Sequence, residues 1–108
     1  MELIELKTSD KENSVKYLLK SNDNEIGYGY IFAKEINPIE IYIYENYQSN
    51  GYGKLLFNSL LNILKNKGLK GILFEIDESN YRFINIIGQA GAREFGRNSP
   101  IIKFVLKL

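Results

Sequence analysis

The sequence predicts a single α+β domain on a mixed sheet, with the element order β-β-β-β-α-β-α-β-β. Three observations predict it. A chain of 108 residues has room for one core but not two. Apolar residues repeat every second position through the first half, then every three or four positions from residue 52. The strands beginning at Ile39 and Ile72 are joined through a helix, so as neighbours they run parallel with a right-handed crossover, while hairpins pair the other strands antiparallel.

The elements follow in order. Residues 1–6 alternate apolar side chains with Glu2 and Glu5. Residues 14–19 and 25–33 are rich in β-branched and aromatic residues, and Ser21, Asn22, Asp23 and Asn24 between them form a turn. Asn37 and Pro38 break the chain before Ile39, Ile41 and Ile43 alternate with Glu40, Tyr42 and Tyr44, completing a meander. Over residues 52–67, Leu56, Leu60, Ile63 and Leu64 lie opposite Asn58, Asn62, Lys65 and Asn66, an amphipathic helix ended by Gly68. Gly71 opens a short apolar strand over 72–76. Ser79 or Asn80 caps a second helix, with Phe83, Ile84 and Ile87 on one face and its end near Gly88 or Gly91. Residues 92–95 and 101–106 close the chain as a hairpin around Arg97, Asn98, Ser99 and Pro100. There is no internal repeat, linker or low-complexity run.

Composition then removes whole classes of chemistry. With 44% hydrophobic and 13% aromatic residues the chain can offset its conformational entropy. A net charge of +1 gives no electrostatic case for nucleic acid or a charged membrane. The absence of cysteine and histidine excludes disulfides, thiolate nucleophiles, Cys/His zinc sites and a Ser/His/Asp triad. Proton transfer falls to carboxylates, tyrosines, lysines, a terminus or water, and any metal would have only oxygen ligands, so no metal is expected. Residues 1–6 carry no basic or long apolar leader, and no apolar run reaches the roughly 18–20 residues of a membrane span. The expectation is a soluble, cytoplasmic, bacterial protein.

The segment Gln48, Ser49, Asn50, Gly51, Tyr52, Gly53, Lys54 joins a strand to the long helix. Its glycines let backbone amides approach a ligand closely, and the helix start favours an anion through unpaired N–H groups and the helix dipole. The same spacing also occurs in ordinary glycine loops. A Walker loop needs Ser or Thr after glycine and lysine, but Leu55 follows Lys54; a dinucleotide fingerprint needs a third glycine, but position 56 is leucine.

The remaining pattern, QxxGxG at the end of a meander and the start of an amphipathic helix, resembles the acetyl-coenzyme A signature of the GNAT acetyltransferases. Ile43, Tyr44, Glu45, Asn46, Tyr47 and Gln48 through Gly53 are similar to that family's strand-to-helix segment. Phe74, Glu75, Ile76, Ser79 and Asn80, followed by a helix and Gly91, resemble its second region. The resemblance covers about residues 39–95 and implies a GNAT-like acyl-CoA N-acyltransferase fold over one domain, 1–108. It implies that the backbone of Ile41, Tyr42 and Ile43 pairs with the pantetheine arm of acetyl-CoA. The amides of Gln48, Ser49, Asn50, Gly51, Tyr52, Gly53 and Lys54 would hold the pyrophosphate, and Asn80 would lie beside the pantetheine.

Function follows from the same resemblance: direct attack by a primary amine, of a small molecule or a peptide, on the acetyl thioester. Such a reaction needs a base, an amide donor for the oxyanion and an acid for the thiolate, with no covalent enzyme intermediate. Glu75, five residues before Asn80, is similar to the glutamate of members that acetylate protein N-termini and is the candidate catalytic base. Its other reading is a solvated strand glutamate. Glu40 and Glu45 are further carboxylates on or just after the preceding strand. Two departures stand out. The family often has a tyrosine seven residues after the asparagine, where this chain has Ile87, leaving Tyr81, Tyr44 or water as acid. The family's helices between its first strands are also missing, since residues 9–13 allow only a turn, so the chain is a minimal version. The acceptor site is then more open, or completed by a second copy in a homodimer. The eight tyrosines, among them Tyr28, Tyr30, Tyr42 and Tyr44, either line a groove or pack across strands. The alternative function is a non-catalytic acyl-CoA-binding module. A third reading, a nucleic-acid binder using Lys54, Lys65 and Lys67 with strand tyrosines, competes with an ordinary solvated helix face.

Overall fold

The computed structural model describes residues 1–108. Strands β1 (Glu2–Glu5), β2 (Ser14–Ser21), β3 (Asn24–Phe32) and β4 (Ile39–Ile43) form an antiparallel sheet in the order β1-β2-β3-β4. A 3₁₀ turn at Glu45–Tyr47 leads to helix α1 (Tyr52–Asn66), strand β5 (Gly71–Asp77), helix α2 (Tyr81–Gln89) and the hairpin β6 (Arg93–Asn98) and β7 (Ile101–Lys107). The element order is the expected one. Both hairpin turns are shorter than the sequence suggests. Ser21 pairs with Asn24, leaving Asn22 and Asp23 to turn with Asn22 at φ 55°. Arg97 and Asn98, expected in a loop, pair with Ile102 and Ile101. Arg97 also donates to both Glu94 carboxylate oxygens, at 3.2 and 2.9 Å, across the register shift between Glu94 and Gly96. No helix is long and apolar enough to cross a membrane.

Both helices pack on one side of the strands. Leu56, Phe57, Leu60 and Leu64 of α1 are buried, against an expected stripe that contained Ile63 and not Phe57. Gly29 makes room for this helix, because a Cβ there would come within 2.7 Å of Leu60 Cδ1. Phe57, Phe74 and Phe83, from α1, β5 and α2, meet with ring centroids 5.7–6.1 Å apart and join the helices to β5. Each such side chain contributes about 1.5–3 kcal/mol on burial.

The α2 start departs from the expected cap. Asn80 occupies the N-cap position but makes no side-chain cap bond. Asp77 organises the turn instead: its Oδ1 accepts from the Ser79 N–H at 2.9 Å and the Ser79 hydroxyl at 2.6 Å, and its carbonyl accepts from Asn80. These bonds hold the Asp77 carboxyl below its ordinary 3.8.

β4 and β5 are not paired: the segment just before β4 makes one isolated parallel bridge to β5, Ile36 to Leu73, and β5, β7 and β6 form a separate sheet in the order β5-β7-β6. Asn37, at φ 55°, stitches the junction. Its N–H donates to the Leu73 carbonyl at 2.9 Å, its Nδ2 to the Glu75 carbonyl at 3.0 Å, and its Oδ1 accepts from the Glu75 N–H at 2.9 Å. One side chain therefore substitutes for a strand residue and ends the pairing there.

Candidate functional site

Beyond Asn37 the diverging strands enclose a cleft of about 690 Å³, a size suited to a sizeable ligand. Its walls are β4, the start of α1 and one face of α2.

The β4 wall is a free sheet edge. The bonds from Tyr44 N–H to Ile26 and from Phe32 N–H to Pro38 set the phase of the β3–β4 ladder. Tyr42 and Glu40 thus spend their backbone groups on β3, while those of Ile39, Ile41 and Ile43 point away from it toward the cleft. The Ile43 carbonyl is taken by Gln48 Nε2 at 3.0 Å; Ile41 offers both an N–H and a C=O. Of the three residues expected to pair with a linear ligand, Ile41 and Ile43 turn backbone groups toward the cleft, and Tyr42 borders the cleft with its backbone groups spent on β3.

At the end of β4 the glycine turn leaves a run of amides without backbone partners. Ser49 and Gly51 both have positive φ, 66° and 82°. None of the N–H groups of residues 49–54 donates to another backbone carbonyl, the first helical bond being from Leu55 to Gly51. Consecutive N–H groups in a turn that opens a helix make an anion site. Gln48, Ser49, Gly51, Gly53 and Lys54 line the cleft; Asn50 and Tyr52 do not. The Asn50 amide is spent on the carbonyls of Gln48 and Tyr47, and the Tyr52 ring packs edge-on against Tyr47. Gly53 sits close to α2: a Cβ there would stand 3.1 Å from Ile86 Cδ1, so a larger residue would need the Ile86 side chain to shift by a few tenths of an ångström.

Helix α2, the helix expected to flank the co-substrate, supplies wall residues that sequence reasoning did not name. Arg82, Asn85, Ile86 and Gln89 recur at helical spacing on the cleft side. Arg82 Nη1 donates to Gln48 Oε1 at 2.9 Å, so Gln48 ties the end of β4 to α2, and Arg82 and Lys54 both border the cleft. The spacing was visible, but polar residues opposite Phe83 and Ile87 look like a solvated face. Asn80 borders the cleft, and its side chain makes no hydrogen bond within the protein.

The carboxylates divide differently from expectation. Alternation puts Ile72, Phe74 and Ile76 toward the helices and Glu75 on the opposite face, where its carboxylate lies 4.0 Å from Lys103 Nζ. Glu75 is not among the residues bordering the cleft; its backbone is, through Asn37, part of the junction. Glu40 does border the cleft, and Tyr42 Oη donates to Glu40 Oε1 at 2.6 Å. That bond, with desolvation next, pushes the Tyr42 hydroxyl above its ordinary pKa, so it keeps its proton at neutral pH. Ile87 is fully buried in the core, and Tyr44 and Tyr81 lie outside the cleft lining.

The profile of the acetyltransferase (GNAT) family matches residues 3–92. No curated protein sequence gives a significant match. Among solved structures, the chain is similar to a domain from Methanocaldococcus jannaschii, with a TM-score of 0.74 and 23% identity over 92% of this chain and 70% of that one. A GNAT family acetyltransferase from Elizabethkingia anophelis with acetyl-CoA bound matches with a TM-score of 0.73 and 18% identity over 89% of this chain and 77% of the other. The ribosomal-protein-S18-alanine N-acetyltransferase of Escherichia coli matches with a TM-score of 0.71 and 20% identity over 91% and 71%. At these identities the structural likenesses establish the fold.

Proposed function

The chain belongs to the acetyltransferase (GNAT) family, and from that premise we propose that it transfers the acetyl group of acetyl-CoA to a primary amine by direct attack. The observation that carries the reading is the set of amides at residues 49–54, none bonded to another backbone carbonyl, opening into a cleft beside the free edge of β4. The residues fit the co-substrate. An anion-binding turn suits a pyrophosphate, the edge groups of Ile41 suit an amide-containing arm, and the unbonded Asn80 side chain suits a further polar contact. The acetyl-CoA-bound structure from Elizabethkingia anophelis supports the choice of co-substrate, and the Escherichia coli enzyme's name supports an amine acceptor.

When bound, acetyl-CoA supplies the reactive thioester. The chain's own part is proton management. Forming the C–N bond releases an amine proton, and breaking the C–S bond creates a thiolate that needs one. Glu40, on the cleft wall, is placed to take the first proton, and the Tyr42 hydroxyl, hydrogen-bonded to Glu40, holds one that can be given. This reading prefers Glu40 to Glu75, whose carboxylate faces Lys103. In a thiol-release assay over a panel of primary amines, Glu40→Gln should lower kcat by about 10²–10⁴-fold with acetyl-CoA affinity retained. Unchanged turnover in Glu40→Gln with a loss in Glu75→Gln would return the base to Glu75.

A second reading, a non-catalytic acyl-CoA-binding module, is favoured by one observation: Ile87, where the family resemblance puts an acid, is fully buried. Acetyl-CoA binding with no thiol release from any amine in the panel would select it.

A further inference from the structure

The sheet face away from the helices already holds primary ammonium groups, and the chain supplies them. Lys11 Nζ lies 3.4 Å from Glu40 Oε1 and 3.5 Å from Tyr42 Oη, and stands 4.7 and 5.3 Å from the ring centroids of Tyr30 and Tyr42. The rings form a continuous surface: Tyr28 stacks on Tyr42 at 5.1 Å and meets Tyr30 edge-on at 5.9 Å. Lys16 uses the same surface, 4.6 Å from the Tyr28 centroid. Tyrosine faces with a carboxylate beside them recognise an alkylammonium through cation–π attraction and charge-assisted hydrogen bonds.

The two lysines are held differently. Lys16 belongs to β2, whereas Lys11 comes from the irregular segment 6–13 that crosses this face between β1 and β2. That segment has anchors apart from Lys11. Tyr30 Oη donates to Asp10 Oδ1 at 2.7 Å, Ser9 and Ser14 hydroxyls bond at 2.7 Å, and the Ala33 N–H donates to the Asn13 carbonyl at 2.9 Å. The Lys11–Glu40 pair is partly solvated, with side-chain exposures of 39% and 34%, and such pairs are weak. Desolvation lowers the Lys11 pKa, but its bonds to Tyr42 and Glu40 outweigh this and raise it, so the seat is filled by a charged amine. Glu40 and Tyr42 also border the cleft, so the seat adjoins the proposed thioester site.

We propose that this seat, formed by Glu40, Tyr42 and Tyr30, is the acceptor's ammonium site, that it takes the end of an unbranched primary alkylammonium, and that Lys11 is its internal occupant, displaced when an acceptor binds. The inference rests on the acetyltransferase reading for the acceptor's role. The ligand class follows from the occupant, a four-carbon chain ending in a primary ammonium whose N–H groups meet a carboxylate and a hydroxyl while its charge faces the rings.

The test is a titration with cadaverine, followed through the tyrosine ring signals by NMR, without acetyl-CoA. Removing the competing occupant should tighten cadaverine binding by about tenfold or more in Lys11→Met relative to the parent protein, as expected when an internal group fills a site roughly nine-tenths of the time. Tyr30 and Tyr42 ring signals should shift, and Lys11→Met with Glu40→Gln should lose the effect. Lys11→Ser, whose side chain is too short to fold back into the seat, should behave as Lys11→Met does. Equal affinity in parent and both Lys11 variants, shifts elsewhere, or shifts indifferent to Glu40→Gln would overturn the proposal and leave Lys11 as a latch for the segment. Calorimetry with acetyl-CoA separates the two readings: acetyl-CoA binding without cadaverine shifts sinks the ammonium site alone. Cadaverine binding in a protein that does not bind acetyl-CoA removes its role as an acceptor site.

Discussion

Gly51 and Gly53 are two residues apart and are constrained differently, Gly51 by its backbone and Gly53 by the nearby Ile86 side chain. Gly51 has φ 82° with nothing within 4 Å of where a Cβ would stand, so its constraint is the left-handed backbone alone. Gly51→Ala should cost about 1–2 kcal/mol, the left-handed penalty for an L-residue, and lower Tm by several degrees. Coenzyme A affinity should fall with it, because the amides around the turn are re-aimed; urea denaturation and calorimetry check the two effects separately. A stable Gly51→Ala with unchanged affinity would show that the turn's conformation is not what binds. Single residues were also where the sequence was least legible. It marked the 48–54 segment as an anion site but could not tell that the Asn50 side chain and the Tyr52 ring are spent internally. Strand alternation put Glu75 and Glu40 on a face, yet which of them borders the cleft depends on where β4 and β5 part.

At the scale of elements, two polar side chains decide how strands and helices join. Asn37 replaces a strand residue at the junction of β4 and β5, with two side-chain bonds to the Glu75 backbone. Asn37→Ala leaves that N–H and C=O without partners, at about 1–3 kcal/mol, and adds the left-handed penalty. Asn37→Gly removes the bonds but relieves the backbone, so it should fall between the parent and the alanine variant in urea midpoint. Equal stability of all three would refute the stitch. Asp77 sets the start of α2 and carries a pH signature. Its pKa is lowered on folding, so its contribution is fully present above its ordinary 3.8 and is lost as pH falls through the lower folded value. The Tm difference between the parent and Asp77→Ala should therefore be constant at neutral pH and shrink as pH falls from about 3.8 through the lower folded value. A difference independent of pH would mean that the Ser79 bonds do not depend on the carboxylate. Element order and the helix periods were readable because apolar spacing records burial. The α2 cap was not, because Asp77, Ser79 and Asn80 can all cap and only backbone geometry chooses Asp77.

For the whole molecule, the decisive feature is that two antiparallel sheets share one parallel bridge and then open. Crossover logic required β4 and β5 to run parallel as neighbours, and it could not say that the two strands themselves stay unpaired. That determines whether β4 has a free edge, and therefore whether the amide turn opens onto a cleft or onto strand-filled space. The opposite face is equally a product of the whole: the segment between β1 and β2, with no helix in it, lies over the tyrosines and buries Tyr30 to 2% exposure. Calorimetric titration with acetyl-CoA and with free coenzyme A tests whether the cleft and its open amides form an acyl-CoA site. The expected result is one-to-one, micromolar binding of both ligands, weakened in Gly51→Ala. A folded protein that binds neither would contradict it and leave the glycine turn as a structural loop.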